Sequence, residues 1–260
     1  MKCGSGGIPT GAAAGGKIKQ PELVAQAIKQ LLGRTEITET KALVAASDSL
    51  ASFRILNFPA TATDKDVATG VNRELPLDPD RMAVRWVDLM IETNKRVVYA
   101  AAWDRALIKS VSDSVKLAGL EPVAVELKSA CIARAVIEPS CVVLDLSSDP
   151  VEIVLIDQHV PQVWHSFTLK ASMGDDIAPA LAAPLRSVLR FYRRRQSGGF
   201  GPTSPVLVAG EQVLPGQVLA TLAELVEQPV QPLTAPPRIP QDVRHGTYLT
   251  CLGLIMRRNN

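Results

Sequence analysis

The chain has 260 residues, 47% apolar and 21% charged, with a formal net charge of +2. This supports one large core or a few small ones and excludes a disordered chain. The charge is too small to argue for a nucleic-acid or anionic-membrane partner. Cys3, Cys131, Cys141 and Cys251 lie far apart, with no CxxC and no nearby histidine pair. That excludes a zinc site or a disulfide frame and predicts reduced, mostly buried thiols. No apolar run approaches the ~20 residues of a membrane helix, and Met1–Gly16 lacks the apolar centre of a signal peptide. The expectation is a soluble, cytoplasmic protein.

Met1–Gly16 is rich in Gly and Ala without periodicity and reads as a flexible lead-in. Gly11, Gly16 and Lys17 nearly spell a phosphate-binding loop, but Ile18 stands where a Ser or Thr is needed to hold magnesium, and no strand precedes it. A helix follows from Gln20-Pro21, with Leu23, Val24, Ala27, Ile28, Leu31 and Leu32 on one stripe and Gly33 as its stop. Lys41–Ser47 and Ser52–Phe58 read as strands. Thr63 caps a helix with Asp64 and Asp66 in its first turn, where the helix dipole favours them. That helix ends at Glu74-Leu75-Pro76-Leu77-Asp78-Pro79, a proline-bearing loop. Strands at Ala83–Met90 and Arg96–Ala102, a helix capped by Asp104 and closed by Gly119, and a strand Glu121–Val125 complete an αββαβ unit. Lys128–Val136 is a further helix.

Cys141–Phe167 reads as three successive strands: Val142–Leu146, Val151–Ile156 and Val160–Phe167. The first ends on Asp145, and its turn is Leu146-Ser147-Ser148-Asp149-Pro150. A long helix starts after Gly174-Asp175-Asp176; Pro184 should kink it. A Gly/Ser/Pro connector (Ser197–Pro205) precedes a buried strand, Val206–Ala209. A helix from Leu214 through Val226, a strand Gln228–Leu233, a proline-rich loop (Ala235–His245) and a terminal helix Thr247–Arg257 follow.

Few residues carry a chemical signature. Ser147 and Ser148 lie in no G-x-S-x-G elbow and read as turn hydroxyls. His159, His165 and His245 lack metal-ligand spacing. Arg186, Arg190, Arg193, Arg194 and Arg195 beside Phe191 and Tyr192 read as a solvated face rather than a nucleic-acid or lipid patch. Trp86 and Trp103 occupy strand positions and read as core.

The order of landmarks resembles a known family. KIKQP (Lys17–Pro21) before a helix, KALVAAS (Lys41–Ser47), ELPLDP (Glu74–Pro79), AGLEPVAVE (Ala118–Glu126), LRFYRRR (Leu189–Arg195), LVAGEQVLPG (Leu207–Gly216) and YLTCLGLIMR (Tyr248–Arg257) follow one another as in PilM. PilM proteins are the actin-like, FtsA-related proteins of type IV pilus assembly. The resemblance runs from about Ile8 to Arg258.

It implies an α/β fold, an actin-like (ribonuclease H-like) pair of lobes with a small inserted α/β subdomain. Residues 1–56 plus 123–137 would form the first lobe, 57–122 the inserted subdomain and 138–260 the second lobe. The family's first lobe opens with strands bearing a DxGxxxxK-like phosphate loop, which this chain lacks, so the fold is expected to be N-terminally truncated. The second phosphate clamp, Asp-Ile-Gly in the family, is Asp145-Leu146-Ser147-Ser148-Asp149-Pro150 here. Ser147 restricts a backbone that glycine would free, Pro150 removes a donor, and Asp149 adds negative charge. The glycine pair that faces adenosine has become Ala209-Gly210, followed by Glu211.

The degenerate cleft is therefore Asp145, Ser147, Ser148, Ala209, Gly210 and Glu211. ATP and magnesium binding are expected to be weak or absent, with no hydrolysis. The implied function is a non-catalytic scaffold at the inner face of the inner membrane. It would bind the cytoplasmic N-terminal peptide of a PilN-like membrane protein and connect to pilus motor ATPases, with no nucleic-acid partner. Val44, Leu75, Leu77, Val84 and Trp86 are the nominated peptide contacts, from a groove that would accept an extended peptide. The alternatives are a nucleotide-binding actin-like ATPase switch holding ATP and magnesium, and the cytoplasmic part of a type II secretion platform protein.

Overall fold

The computed structural model describes residues 2–75, 78, 80–91, 93–147, 149–169, 177–194, 199–211, 214–236, 239–240 and 243–257. The chain divides into two compact units, Met1–Leu127 and Lys128–Asn260.

The first unit opens on a hairpin, β1 (Ala13–Ala14) and β2 (Lys17–Ile18), where a flexible lead-in was expected. Gly15 and Gly16 form its two-residue loop at φ 55° and 76°. Two left-handed residues in a row match the strand twist, and glycine takes them without a Cβ clash. The near phosphate-loop pattern is thus a hairpin turn. Helix α1 (Pro21–Thr35) has proline in its first turn and passes through Gly33, the expected stop. It ends two residues later, where Glu36 turns left-handed and Thr35 bonds back to the Leu31 carbonyl at 2.8 Å.

Strand β3 (Lys41–Ala46), a 3₁₀ turn at Asp48–Leu50, β4 (Ala51–Phe58), α2 (Asp64–Glu74), β5 (Met82–Ile91), β6 (Arg96–Asp104), α3 (Arg105–Leu117) and β7 (Glu121–Leu127) follow. Both expected caps are present. Thr63 and Asp66 make a reciprocal capping box, and the Asp104 carboxylate accepts from the backbone of Ala106 and Leu107. Strands pair as a three-stranded antiparallel sheet, β4-β6-β5, and a parallel pair, β3-β7. The first sheet packs Val98, Ala100 and Ala102 against Val67, Val71 and Leu75 of α2 and its cap. Arg96 ties them together, bonding Asp88 at 2.6 and 3.0 Å, Asp64 at 2.7 Å and the Ala62 carbonyl at 2.8 Å. The parallel pair has a separate core around Ala46, Leu50 and Val111, with Val44, Val125 and Ile18 against it.

The second unit comprises α4 (Lys128–Ala135), β8 (Cys141–Asp145), β9 (Val151–Asp157), β10 (Val160–Phe167), α5 (Ile177–Arg193), β11 (Val206–Ala209), α6 (Gly216–Val226), β12 (Val230–Pro232) and α7 (Leu249–Ile255). Its five-stranded sheet has the order β10-β9-β8-β11-β12. The meander β8-β9-β10 is antiparallel, and β11 joins β8 and β12 in parallel. Helices cover both faces, so the central strands are apolar along most of their length, Asp145, Glu152 and Asp157 excepted, instead of alternating with polar residues. Val142, Leu144, Val206 and Val208 face α5 and α6, whereas Cys141, Val143, Leu207 and Ala209 face α4 and α7. Helix α5 continues through Pro184, whose ring leaves the Ala180 carbonyl without its intrahelical donor.

The β9–β10 hairpin turns at Gln158 and His159, both left-handed without being glycine. The neighbouring Asp157 is buried; its carboxylate accepts from Ser140 Oγ at 2.6 Å and Tyr192 Oη at 2.8 Å, fixing the strand end to α5. Where α4 and α7 cross, Gly253 lies against Cys131: a Cβ at Gly253 would stand 1.9 Å from the Cys131 carbonyl oxygen. Among the described residues, no helix is long and apolar enough to cross a membrane.

Candidate functional site

The carboxyl ends of β8 and β11 converge in the second unit, the place where parallel α/β sheets leave a crevice for ligands. Asp145 ends β8 there with 3% of its surface exposed. Its register partner on β11 is Ala209, and the Leu146 N–H donates to the Ala209 carbonyl at 2.8 Å. Gly210 follows at φ 141°, with its virtual Cβ 3.0 Å from the Leu146 backbone. Gly246 presses on Gly210 in turn, a Cβ there standing 3.0 Å from the Gly210 carbonyl oxygen. Two glycines therefore let three loops meet beneath the Asp145 turn.

The Asp145 carboxylate is occupied on both oxygens. Oδ1 accepts from the Ser147 N–H at 2.9 Å and from the Ser147 hydroxyl. Oδ2 lies 2.8 Å from Lys128 Nζ, which is also 2.7 Å from Glu152 Oε2. The Lys128 side chain is 18% exposed, and Glu152 sits on β9 directly opposite Asp145. Burial acts to lower the Lys128 pKa, but the charges of Asp145 and Glu152, with hydrogen bonds to both, outweigh it. The ammonium holds its proton above the ordinary lysine value.

Lys128 was not identified from the sequence. It opens a helix, where the dipole disfavours a cation, and no acidic residue accompanies it in the first turn. That misplaced charge was the available signal. Its partners lie 17 and 24 residues downstream, beyond any local rule.

Glu211 lines a cavity of about 230 Å³ beside this turn, with Gly210, Leu219, Leu233, Arg244 and His245. His245 Nε2 is 3.2 Å from the Leu233 carbonyl. Ligand pockets for drug-sized molecules run from roughly 300 to 1,000 Å³, so this one is small. Ser148 lies outside the described residues. The structure thus gathers Asp145, Ser147, Ala209, Gly210 and Glu211 at one edge of the sheet, and adds Lys128, Glu152 and Gly246. A magnesium ion needs open carboxylate oxygens. Here Ser147 fills Oδ1 and the Lys128 ammonium sits on Oδ2, so a metal at this end of the cleft would have to displace Lys128 from Asp145. Among the described residues, no group of three or more His, Cys, Asp or Glu is gathered in metal-binding geometry.

The nominated peptide contacts fall in two cores of the first unit. Leu75 is 2% exposed inside the core of the three-stranded sheet, and Val84 and Trp86 pack on that core from β5. Val44 belongs to the other cluster, with Ala46 and Leu50. Leu77 lies outside the described residues. A polar cleft of about 280 Å³ runs along Ser49, Ser52, Asp78, Arg81 and Asp104, with the Arg81–Asp104 ion pair at 2.7 Å in its wall.

An antiparallel three-strand meander continued by two parallel strands, helices on both faces, defines the actin-like (ribonuclease H-like) class. Solved structures agree. The chain matches one titled as the PilM–PilN type IV pilus biogenesis complex, with a TM-score of 0.73 and 20% identity over 95% of this chain and 88% of that one. It also matches the ethanolamine utilization protein EutJ from Carboxydothermus hydrogenoformans, with a TM-score of 0.52 and 13% identity over 94% and 77%. The cytoplasmic domain of EpsL, an inner membrane component of the type II secretion system of Vibrio cholerae, gives 0.51 and 11% over 91% and 82%. No family model and no curated protein matches the chain. The fold is actin-like and PilM-like, as the order of landmarks implied.

Proposed function

We propose that the protein is a non-catalytic scaffold of a type IV pilus assembly machine, peripheral to the inner membrane, that binds the cytoplasmic N-terminal segment of a PilN-like membrane protein. The pilus assignment rests on the likeness in fold to the structure titled as the PilM–PilN complex. In this proposal residues 1–56 plus 123–137 make the first lobe, 57–122 the inserted subdomain and 138–260 the second lobe, whereas the compact units divide at Leu127 and β4 pairs with β6. Connection to pilus motor ATPases belongs to the same proposal.

One observation carries the non-catalytic reading. The Asp145 carboxylate is neutralised by Lys128 and capped by Ser147, so magnesium would have to compete with the Lys128 ammonium for Oδ2. Calorimetric titration of magnesium–ATP into the full chain tests this. No saturable heat up to millimolar nucleotide is expected, and micromolar binding would overturn it. The small cavity beside Gly210 and Gly246 favours the alternative, a nucleotide-responsive switch, and that outcome would install it.

For the peptide, the outer edge of β5 is the best candidate. Among the described residues no strand pairs with it, and Val87, Leu89 and Met90 are 58%, 37% and 43% exposed along it. An extended peptide would add main-chain hydrogen bonds there and set alternate side chains against β5. Val84 and Trp86 would support the strand from its packed face. Val87→Glu should weaken binding of a PilN-like N-terminal peptide tenfold or more with an unchanged fold. Unaltered affinity would remove this edge from the site.

A further inference from the structure

A groove of about 740 Å³ lies between α5 and α6 of the second unit. Arg186, Arg190 and Arg193 line it from α5 and Arg194 from the turn that follows, all exposed. Spacings of four and seven residues place the first three on one helix face. Its floor is apolar, with buried Leu189 and Val226 and half-buried Leu225. Glu227 is the one carboxylate among the lining residues.

None of the four arginines makes an ion pair among the described residues. Other arginines of the chain do: Arg73 with Glu74, Arg81 with Asp104, and Arg96 with Asp64 and Asp88. Arg186 donates to the Leu225 carbonyl at 3.4 Å, which satisfies a donor and leaves its charge uncompensated. Four guanidiniums within about two helical turns repel one another. With a chain net charge of only +2, the excess is local. A face needed only for solubility would intersperse both signs.

We propose that this groove docks an acidic amphipathic segment of a protein partner. Its carboxylates would meet the arginine row, and its apolar side chains would seat on Leu225 and the surrounding floor. Guanidinium forks bind carboxylates in paired hydrogen bonds, and a helix laid in a groove presents both features at once. A flat anionic membrane would reach the arginines but not the floor. A nucleic acid would leave the apolar floor unused. Concavity together with apolar lining favours the peptide.

The test uses the full chain and a labelled probe peptide of about 16 residues, with leucine at helical a/d spacing and glutamate elsewhere. A scrambled peptide of the same composition is the control. Saturable binding of the patterned peptide is expected, tenfold or more tighter than the scrambled one. It should weaken at least tenfold between about 50 and about 300 mM salt. Arg186→Glu with Arg190→Glu should abolish it while the far-ultraviolet circular dichroism stays unchanged. If the double variant misfolds, Arg190→Gln should still weaken binding several-fold. Equal affinity for the two peptides, or indifference to the arginine changes, would overturn the proposal. So would binding confined to phosphatidylglycerol vesicles or to a single-stranded oligonucleotide.

Discussion

Lys128→Met removes the cation shared by two carboxylates that are nearly out of water, Asp145 at 3% and Glu152 at 6% exposed. Removing one partner of a buried ion pair typically costs about 3–5 kcal/mol, because it strands an uncompensated charge. Unfolding entropy near 2.1 cal/mol/K per residue gives roughly 0.3 kcal/mol/K for a unit spanning Lys128–Asn260. The expected fall in Tm for that unit is therefore about 10–18 °C at pH 7, read by circular dichroism or calorimetry. Acid should relieve the loss. In the variant, two buried carboxylates face each other without a cation, and a proton taken up there would remove the stranded charge. Adding Asp145→Asn and Glu152→Gln should recover most of the loss at pH 7. A Tm within about 2 °C of the parent, or a deficit independent of pH, would refute the argument that Lys128 neutralises this turn.

Three further outcomes follow from particular contacts. Cys3 and Cys251 are exposed whereas Cys131 and Cys141 are buried, so Ellman's reagent at pH 8 should titrate two thiols rapidly and two more only after denaturation. His159 sits left-handed in a two-residue hairpin turn, so His159→Gly should stabilise the protein by about 1 kcal/mol in urea melts. Gly253→Ala would push a methyl to 1.9 Å from the Cys131 carbonyl, separating α4 from α7 at a cost of about 2–3 kcal/mol, visible as a lowered urea midpoint.

Much of the fold was legible because its signals are local. Thr63 and Asp104 precede apolar-periodic runs, and both cap the helices they introduce. The first two strands of the meander were legible from their length and β-branched content, since both their faces are buried. What failed depended on distance or on backbone chemistry without a pattern. The Gly15-Gly16 hairpin has strands of two residues each, too short for alternation to register. Gly33 looked like a helix stop, but the left-handed turn that ends α1 falls on Glu36. In the candidate site, Asp145 and its turn were legible as a strand end. Its occupant was not, because Lys128 reaches it from another element. Leu75 was legible as apolar but not as buried, since the loop that follows it reads as surface.

The Cys141 thiol offers a titration that separates burial from charge pairing in the same sheet. Cys141 opens β8 at 0% exposure, and burial, with the Glu138 charge adding to it, pushes its pKa up to about 12 from 9.0. A group whose folded pKa is raised contributes stability that is complete below the unfolded pKa and lost as pH climbs toward the folded one. For this thiol the window runs from about pH 9 to about pH 12. Between pH 8 and 10.5 the folded state therefore loses about 2 kcal/mol from this group alone, since unfolded chains ionise there and folded ones do not. Lys128 has the same sign but acts later. Its folded pKa lies above the ordinary 10.5, so its pairing with Asp145 and Glu152 is retained through this interval. Cys141→Ala removes the thiol term whatever the small cavity costs at every pH. Urea melts of parent and variant should therefore converge by about 2 kcal/mol as the pH is raised from 8 to 10.5. Parallel pH profiles would show that the thiol ionises as readily folded as unfolded, and that β8 is far more open to water than its packing implies.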